Sequence, residues 1–229
     1  MFKLILDLCF PPLCQACNTV LSDNELVICT ACRHHLPLAF PFGLDRELQP
    51  KVLQGIELQD VYSLFFFQKG GLVQQLLHHL KYKNQQKIGI VLGQWLGSEM
   101  ATLNHAVGID LVTPVPIHPK RLKQRGYNQV EKFAKEVALQ IGVKFQDGIL
   151  TKMKHTKTQV FQSKLQRWKS VQHSFALVNS EAIRGKRVLL VDDIITTGAT
   201  INACVGTLQK GQPKSIAVAS IAIAAGGFR

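Results

Sequence analysis

The chain has 229 residues, enough for one sizeable α/β domain beside a small module, and a core of that size needs no disulfides. Its composition is ordinary for a soluble globular protein, and no apolar run is long enough to span a bilayer, so membrane insertion is not expected. The formal net charge of +12 is uneven: residues 1–110 hold 8 Lys/Arg and 9 Asp/Glu, whereas residues 111–229 hold 19 and 6. A field of that kind concentrates phosphorylated ligands or nucleic acid, or simply solvates a surface, and charge alone does not separate these readings.

Met1 to Phe10 is apolar, but it is shorter than a secretory core, Asp7 interrupts it, and no small-residue cleavage site follows. A cytoplasmic protein is expected, in which paired cysteines point to metal and not to disulfides. Cys14-x-x-Cys17 and Cys29-x-x-Cys32 come next, with eleven residues between the pairs. Each pair places two thiolates on one turn, and a hairpin joins them into a tetrahedral four-sulfur shell for zinc. Four thiolates leave no position open for substrate, so this zinc is structural and supplies the folding energy of a knuckle too small to bury much apolar surface. Cys9 lies outside the paired spacing, and His34 and His35 are not needed as ligands.

Leu36 to Gln59, punctuated by three prolines and two glycines, reads as a connection. Val61 to Gln68 is a strand, and Leu72, Leu76, Leu77 and Leu80 mark an amphipathic helix ending at Lys81-Tyr82-Lys83. By position alone these lysines cap the C-terminal end of that helix. A second helix runs through Ile88, Leu92, Leu96 and Leu103. Asp110 to Val115 is an apolar strand, and the prolines at 114, 116 and 119 are expected to keep the backbone extended beyond it. The basic run Lys120 to Gln129 then reads as a loop leading into a helix carried by Val130, Phe133, Val137 and Ile141. In a parallel sheet such loops gather on one edge, where ligands bind. The planar forks of Arg121 and Arg125 suit an anionic ligand there.

Lys152 to Lys169 forms a further basic region, in which Phe161 and Trp168 are read as core residues rather than base-stacking ones. Phe175 to Val178 is a short strand. Val188-Leu189-Leu190-Val191 reads as a strand buried on both faces, with Asp192 and Asp193 where it should end. Thr196-Thr197-Gly198-Ala199-Thr200 turns into a helix whose Ile201, Cys204, Val205 and Leu208 recur at helical spacing, and Ser215 to Ala224 is a final buried strand. A helix starting directly after a tight turn offers free N–H groups and its positive dipole end to a phosphate, with the threonine hydroxyls as further donors. Two carboxylates would repel a bare phosphate, so their partners are sugar hydroxyls, magnesium or a cation. A phosphorylated ribose satisfies both halves. No G-x-x-x-x-G-K-[S/T] loop is present to suggest a triphosphatase.

This last stretch resembles the phosphoribosyl-pyrophosphate signature of the type I phosphoribosyltransferase fold. The run Pro114-x-Pro116 to Arg121, Arg125-Gly126-x-Asn128-Gln129, together with the four cysteines, makes the whole chain similar to the ComF family of competence-associated, zinc-containing proteins. The resemblance implies a phosphoribosyltransferase-like domain over 46–229, a parallel sheet flanked by helices, and a zinc ribbon or knuckle over 1–45. It implies phosphoribosyl pyrophosphate with magnesium as ligand: Asp192 and Asp193 on the ribose hydroxyls, Thr196 to Thr200 on the 5′-phosphate, Arg121 and Arg125 on the diphosphate. By the same resemblance residues 152–169 form a flap that closes over the ligand, Leu80-Lys81-Tyr82 belongs near the ligand region, and the family link is to DNA uptake in natural transformation. Enzymatic transfer and non-catalytic binding of single-stranded DNA both remain open, because a zinc module stands where this fold usually carries its acceptor-binding hood. Docking of competence-machinery proteins on the zinc module is a third reading.

Overall fold

The computed structural model describes residues 10–39, 51–53, 55–104, 106–153 and 174–224. In chain order these form α1 (Thr30–His35), a 3-10 turn (Lys51–Leu53), β1 (Val61–Phe67), α2 (Leu72–Tyr82), α3 (Lys87–Thr102), β2 (Leu111–Pro114), α4 (Pro119–Arg125), α5 (Glu131–Gln140) and β3 (Lys144–Phe145). The rest are β4 (Leu150–Lys152), β5 (Phe175–Leu177), β6 (Arg187–Ile195), α6 (Ala199–Leu208) with a closing 3-10 turn (Gln209–Gly211), and β7 (Ser215–Ala224). Five strands make one sheet in the order β1-β7-β6-β2-β3, every neighbouring pair parallel. β4 and β5 pair antiparallel beside it. This is the expected α/β architecture, a parallel sheet flanked by helices.

Strand alternation divides the core into two layers. Leu189 and Val191 of β6 join Leu76, Leu92 and Phe133 from α2, α3 and α5. Val188 and Leu190 face the other way, onto Ile201, Cys204 and Leu208 of α6. The helical layer packs tightly: α3 approaches α5 along Gly89, Gly93 and Gly97, and a Cβ on Gly93 would lie 2.5 Å from the Phe133 carbonyl oxygen.

The segment after α1 closes one edge of the sheet. Leu38 bridges antiparallel to Phe65, the Ala39 N–H donates to the Leu64 carbonyl (2.9 Å), and the Phe66 N–H donates to that of Pro37 (2.8 Å). An uncovered edge strand is a template for aggregation, and the cysteine module covers this one. Gln15 Oε1 lies 3.0 Å from His79 Nδ1 on α2, and the Arg33 guanidinium sits 4.6 Å over the Trp95 ring of α3.

Two expectations need correction. The basic run is not a loop: Pro119 to Arg125 is helical. Proline is favoured in the first turn, where its missing N–H costs nothing, and His118 caps that turn by accepting from the Lys120 N–H at 3.1 Å. The acidic pair does not end its strand either, for β6 continues through Ile194 and Ile195. Cys9 and residues 154–173, which include Phe161, Trp168 and most of the expected flap, lie outside the described residues.

Candidate ligand site at the sheet edge

β2 ends beside β6, its last residue Pro114 pairing with Val191, and the two parallel strands leave the sheet in the same direction. The segments that leave these two strands therefore meet at one edge. After β6 the chain turns through Thr196 and Thr197, both exposed, to Gly198, whose φ of 71° sets the left-handed entry into α6. A side chain there would also strike the Val52 carbonyl oxygen. After β2, α4 ends at Gly126, also left-handed, with its N–H on the Leu122 carbonyl. Asn128 then donates from Nδ2 to the Val115 carbonyl (3.1 Å) and accepts from the Val130 N–H (3.2 Å), tying the turn to the strand end and opening α5. That is the physical task of the glycine and asparagine in the run R-G-x-N-Q.

Arg121, Arg125, Asp192, Asp193, Thr196 and Thr200 all line one cavity of about 260 Å³. Thr197, Gly198 and Ala199 shape its turn without lining it. The structure thus brings together the residues expected for a ribose, a phosphate and a diphosphate. A larger cavity of about 580 Å³, between Leu58 and Pro213 beside the start of β7, holds none of them.

The two carboxylates have different surroundings. Asp193 accepts from Lys81 Nζ at 3.0 Å and from Gln129 Nε2 at 2.8 Å, and Gln129 in turn accepts from Arg125 Nη1 at 2.8 Å. Asp192 lies toward α6, where its charge adds to burial in pushing the Cys204 thiol up. Its Oδ1 accepts from the Asp193 N–H (2.8 Å). Burial, then the neighbouring Asp193 charge, pushes the Asp192 carboxyl up to about 8, against the pull of Lys81 and Lys152. Asp193 is therefore compensated by the chain itself, and Asp192 is short of a partner for its charge. A buried, under-compensated carboxyl with hard oxygen donors beside it fits magnesium or a sugar hydroxyl.

Lys81, Lys152 and Tyr82 also line the cavity. Tyr82 is largely exposed, with Arg125 4.9 Å over its ring. Sequence leaves Lys81 undecided because both its readings fit a helix end, and only the fold brings Asp193 to it. Gln129 stands in the motif with no role that spacing assigns.

The cysteine module is a separate centre. Sγ atoms of Cys14, Cys17, Cys29 and Cys32 lie within 4.8 Å of one another, and those of Cys17 and Cys29 are 3.7 Å apart. Sulfurs about 2.3 Å from a tetrahedral zinc stand about 3.8 Å apart, so the donor set fits. The Thr19 hydroxyl and N–H lower the Cys17 thiol to about 6, while burial and the neighbouring thiols push Cys32 up. A divalent cation would resolve that conflict by taking all four as thiolates.

Residues 131–227 match the model of the phosphoribosyl transferase domain. The chain is 31% identical over 139 residues to competence protein F of Haemophilus influenzae, covering 59% of this chain and 61% of that protein. It is 26% identical over 129 residues to DNA utilization protein YhgH of Escherichia coli K12, 55% of this chain and 56% of that one. The chain is thus similar to these proteins over somewhat more than half of its length, and residues 131–227 resemble a phosphoribosyl transferase domain. The matched part spans only some six-tenths of the relatives' own length. Among solved structures, the allosteric regulatory enzyme of purine biosynthesis aligns over 62% of this chain and 29% of its own, with 23% identity and a TM-score of 0.44. A Staphylococcus aureus hypoxanthine phosphoribosyltransferase aligns over 62% and 67%, with 15% identity and a TM-score of 0.40. The resemblance read from the sequence is borne out in both its parts, the competence relatives and the domain. Among the described residues no helix is long and apolar enough to cross a membrane.

Proposed function

We propose that the protein binds phosphoribosyl pyrophosphate with magnesium, and that it serves DNA uptake or utilization as its relatives' names suggest. The observation that carries the ligand is the convergence of Arg121, Arg125, Asp192, Asp193, Thr196 and Thr200 on one cavity at the sheet's C-terminal edge. The Thr196–Thr200 turn and the first N–H groups of α6 hold the 5′-phosphate. Asp192 and Asp193 accept from the ribose hydroxyls, and the two arginines face the diphosphate. Magnesium, held by Asp192 and Asp193, would neutralise diphosphate charge. In a transfer reaction an acceptor nitrogen takes the anomeric carbon, and the C–O bond to the diphosphate breaks with its electron pair. The arginines stabilise the leaving group by position and charge. The zinc module, over 1–45, is structural, the domain over 46–229 is the binding unit, and a cytoplasmic site of action suits four paired thiols. Titration calorimetry with phosphoribosyl pyrophosphate and magnesium tests the binding, and diphosphate release from labelled ligand with each candidate base tests the transfer. No heat of binding sinks the reading; binding without release leaves a non-catalytic protein.

A second reading is supported by the +13 of residues 111–229 and by the exposed basic helix α4, whose Arg125 stacks on Tyr82: single-stranded DNA held by phosphate contacts and stacking. Filter binding across a salt series tests it. Affinity absent or indifferent to salt removes its electrostatic basis.

A further inference from the structure

Lys81 is joined to the site from outside the two runs that define it. It is the penultimate residue of α2, and its ammonium lies 3.0 Å from Asp193 Oδ2, with side chains 20% and 6% exposed. Gln129 Nε2 donates to the same oxygen at 2.8 Å. One oxygen of Asp193 thus already carries two donors, one from α2 and one from the turn before α5. The helix end that bears Lys81 is fixed independently, because the Tyr127 hydroxyl donates to the Leu80 carbonyl. The lysine stem is then free to swing while its backbone stays in place. Lys81 lines the same cavity as Arg121, Arg125, Lys152 and the threonine turn.

An entering ligand has to compete with that ammonium. A sugar hydroxyl donating to Asp193, or a divalent ion bound to it, displaces the ammonium from its oxygen. Left facing a bare cavity, the displaced cation is an unfavourable addition to three others. If the arriving ligand also carries phosphate, the ammonium has a new anion within the same cavity, and its loss is offset.

We propose that Lys81 is a built-in, exchangeable counter-ion that passes from Asp193 in the empty site to the ligand's phosphate groups in the occupied one. It is thereby the residue that makes the site select molecules presenting sugar hydroxyls and phosphate together. The proposal rests on the sugar-phosphate reading of the site, and it adds a competitor to that reading. In the empty protein Lys81 opposes a bare divalent cation at Asp193.

Two probes used separately on the full-length protein test it: ribose 5-phosphate by titration calorimetry, and Mn2+ by the loss of its free-ion electron paramagnetic resonance signal. Lys81→Met should weaken ribose 5-phosphate about tenfold or more and tighten Mn2+ by about tenfold, two changes of opposite sign. Lys81→Arg keeps the cation and should hold both affinities within about threefold of wild type. A role confined to holding the fold would weaken both probes together in Lys81→Met. That result, or affinities unchanged for both, overturns the proposal. If the wild-type protein itself takes no ribose 5-phosphate, the sugar-phosphate reading falls and the proposal with it. If the wild type binds and Lys81→Met binds equally well, only the proposal falls.

Discussion

Replacing Gly198 by alanine perturbs the fold and the candidate site at one atom. The residue sits at φ 71°, ψ −7°, where an L side chain costs about 1–2 kcal/mol. The new Cβ would stand 1.9 Å from the Val52 carbonyl oxygen and 3.0 Å from its carbon, so backbone must move against backbone. Overpacking of that kind costs about 1–3 kcal/mol more. Gly198→Ala should therefore lose about 2–5 kcal/mol in urea unfolding. In a chain of this size that lowers the melting temperature by roughly 4–20 °C. Because the turn that would hold the 5′-phosphate is what shifts, ribose 5-phosphate affinity should fall as well. Gly206, in the same helix, is the control: it is exposed and a Cβ there meets nothing within 4 Å. Gly206→Ala should gain about 0.5–1 kcal/mol by relieving glycine's entropy cost. Stability of Gly198→Ala within about 0.5 kcal/mol of wild type would refute the close approach of the turn to Val52.

Asp192→Asn should abolish ribose 5-phosphate binding yet stabilise the fold at pH 8. The folded carboxyl, raised to about 8, holds its proton more tightly than the unfolded chain, so wild-type stability falls as pH rises from about 4 to 8. The stability difference between variant and wild type should shrink steadily as pH is lowered through that window, and a difference independent of pH counts against the shift. Arg121→Ala with Arg125→Ala should weaken phosphoribosyl pyrophosphate by about tenfold or more in calorimetry while sparing ribose 5-phosphate, which lacks the diphosphate. Equal losses for both would remove the arginines from the diphosphate. The module should hold about one zinc per chain by colorimetric release. Cys32→Ser should shed it and, by loosening the Leu36–Ala39 segment from β1, promote aggregation seen by light scattering; a zinc-free variant that stays monomeric would detach the metal from edge protection.

Much of the fold is legible in the sequence because the relevant signals are local. Apolar runs mark β1, β6 and β7, helical spacing marks α6, and cysteine spacing marks a cluster whose sulfurs do converge. Pro119 misleads, because proline reads as a stop wherever its position in a first turn is not yet known. Asp192 and Asp193 mislead in the same way: acidic residues look like a strand end until Ile194 and Ile195 are seen pairing with Ala222 and Ile223. Lys81 and Gln129 cannot be assigned to Asp193 from sequence, since that contact joins segments far apart in the chain and depends on α2 and α5 packing in the same layer on one face of the sheet. No periodicity records such a meeting.

The central claim is that one cavity receives both ends of a phosphoribosyl pyrophosphate. A crystal structure of the full-length protein grown with that ligand and magnesium tests it most directly. The account predicts the 5′-phosphate over Thr196 to Thr200, the ribose hydroxyls at Asp192 and Asp193, and the diphosphate beside Arg121 and Arg125. Ligand bound elsewhere at saturating concentration, with that turn empty, would contradict it.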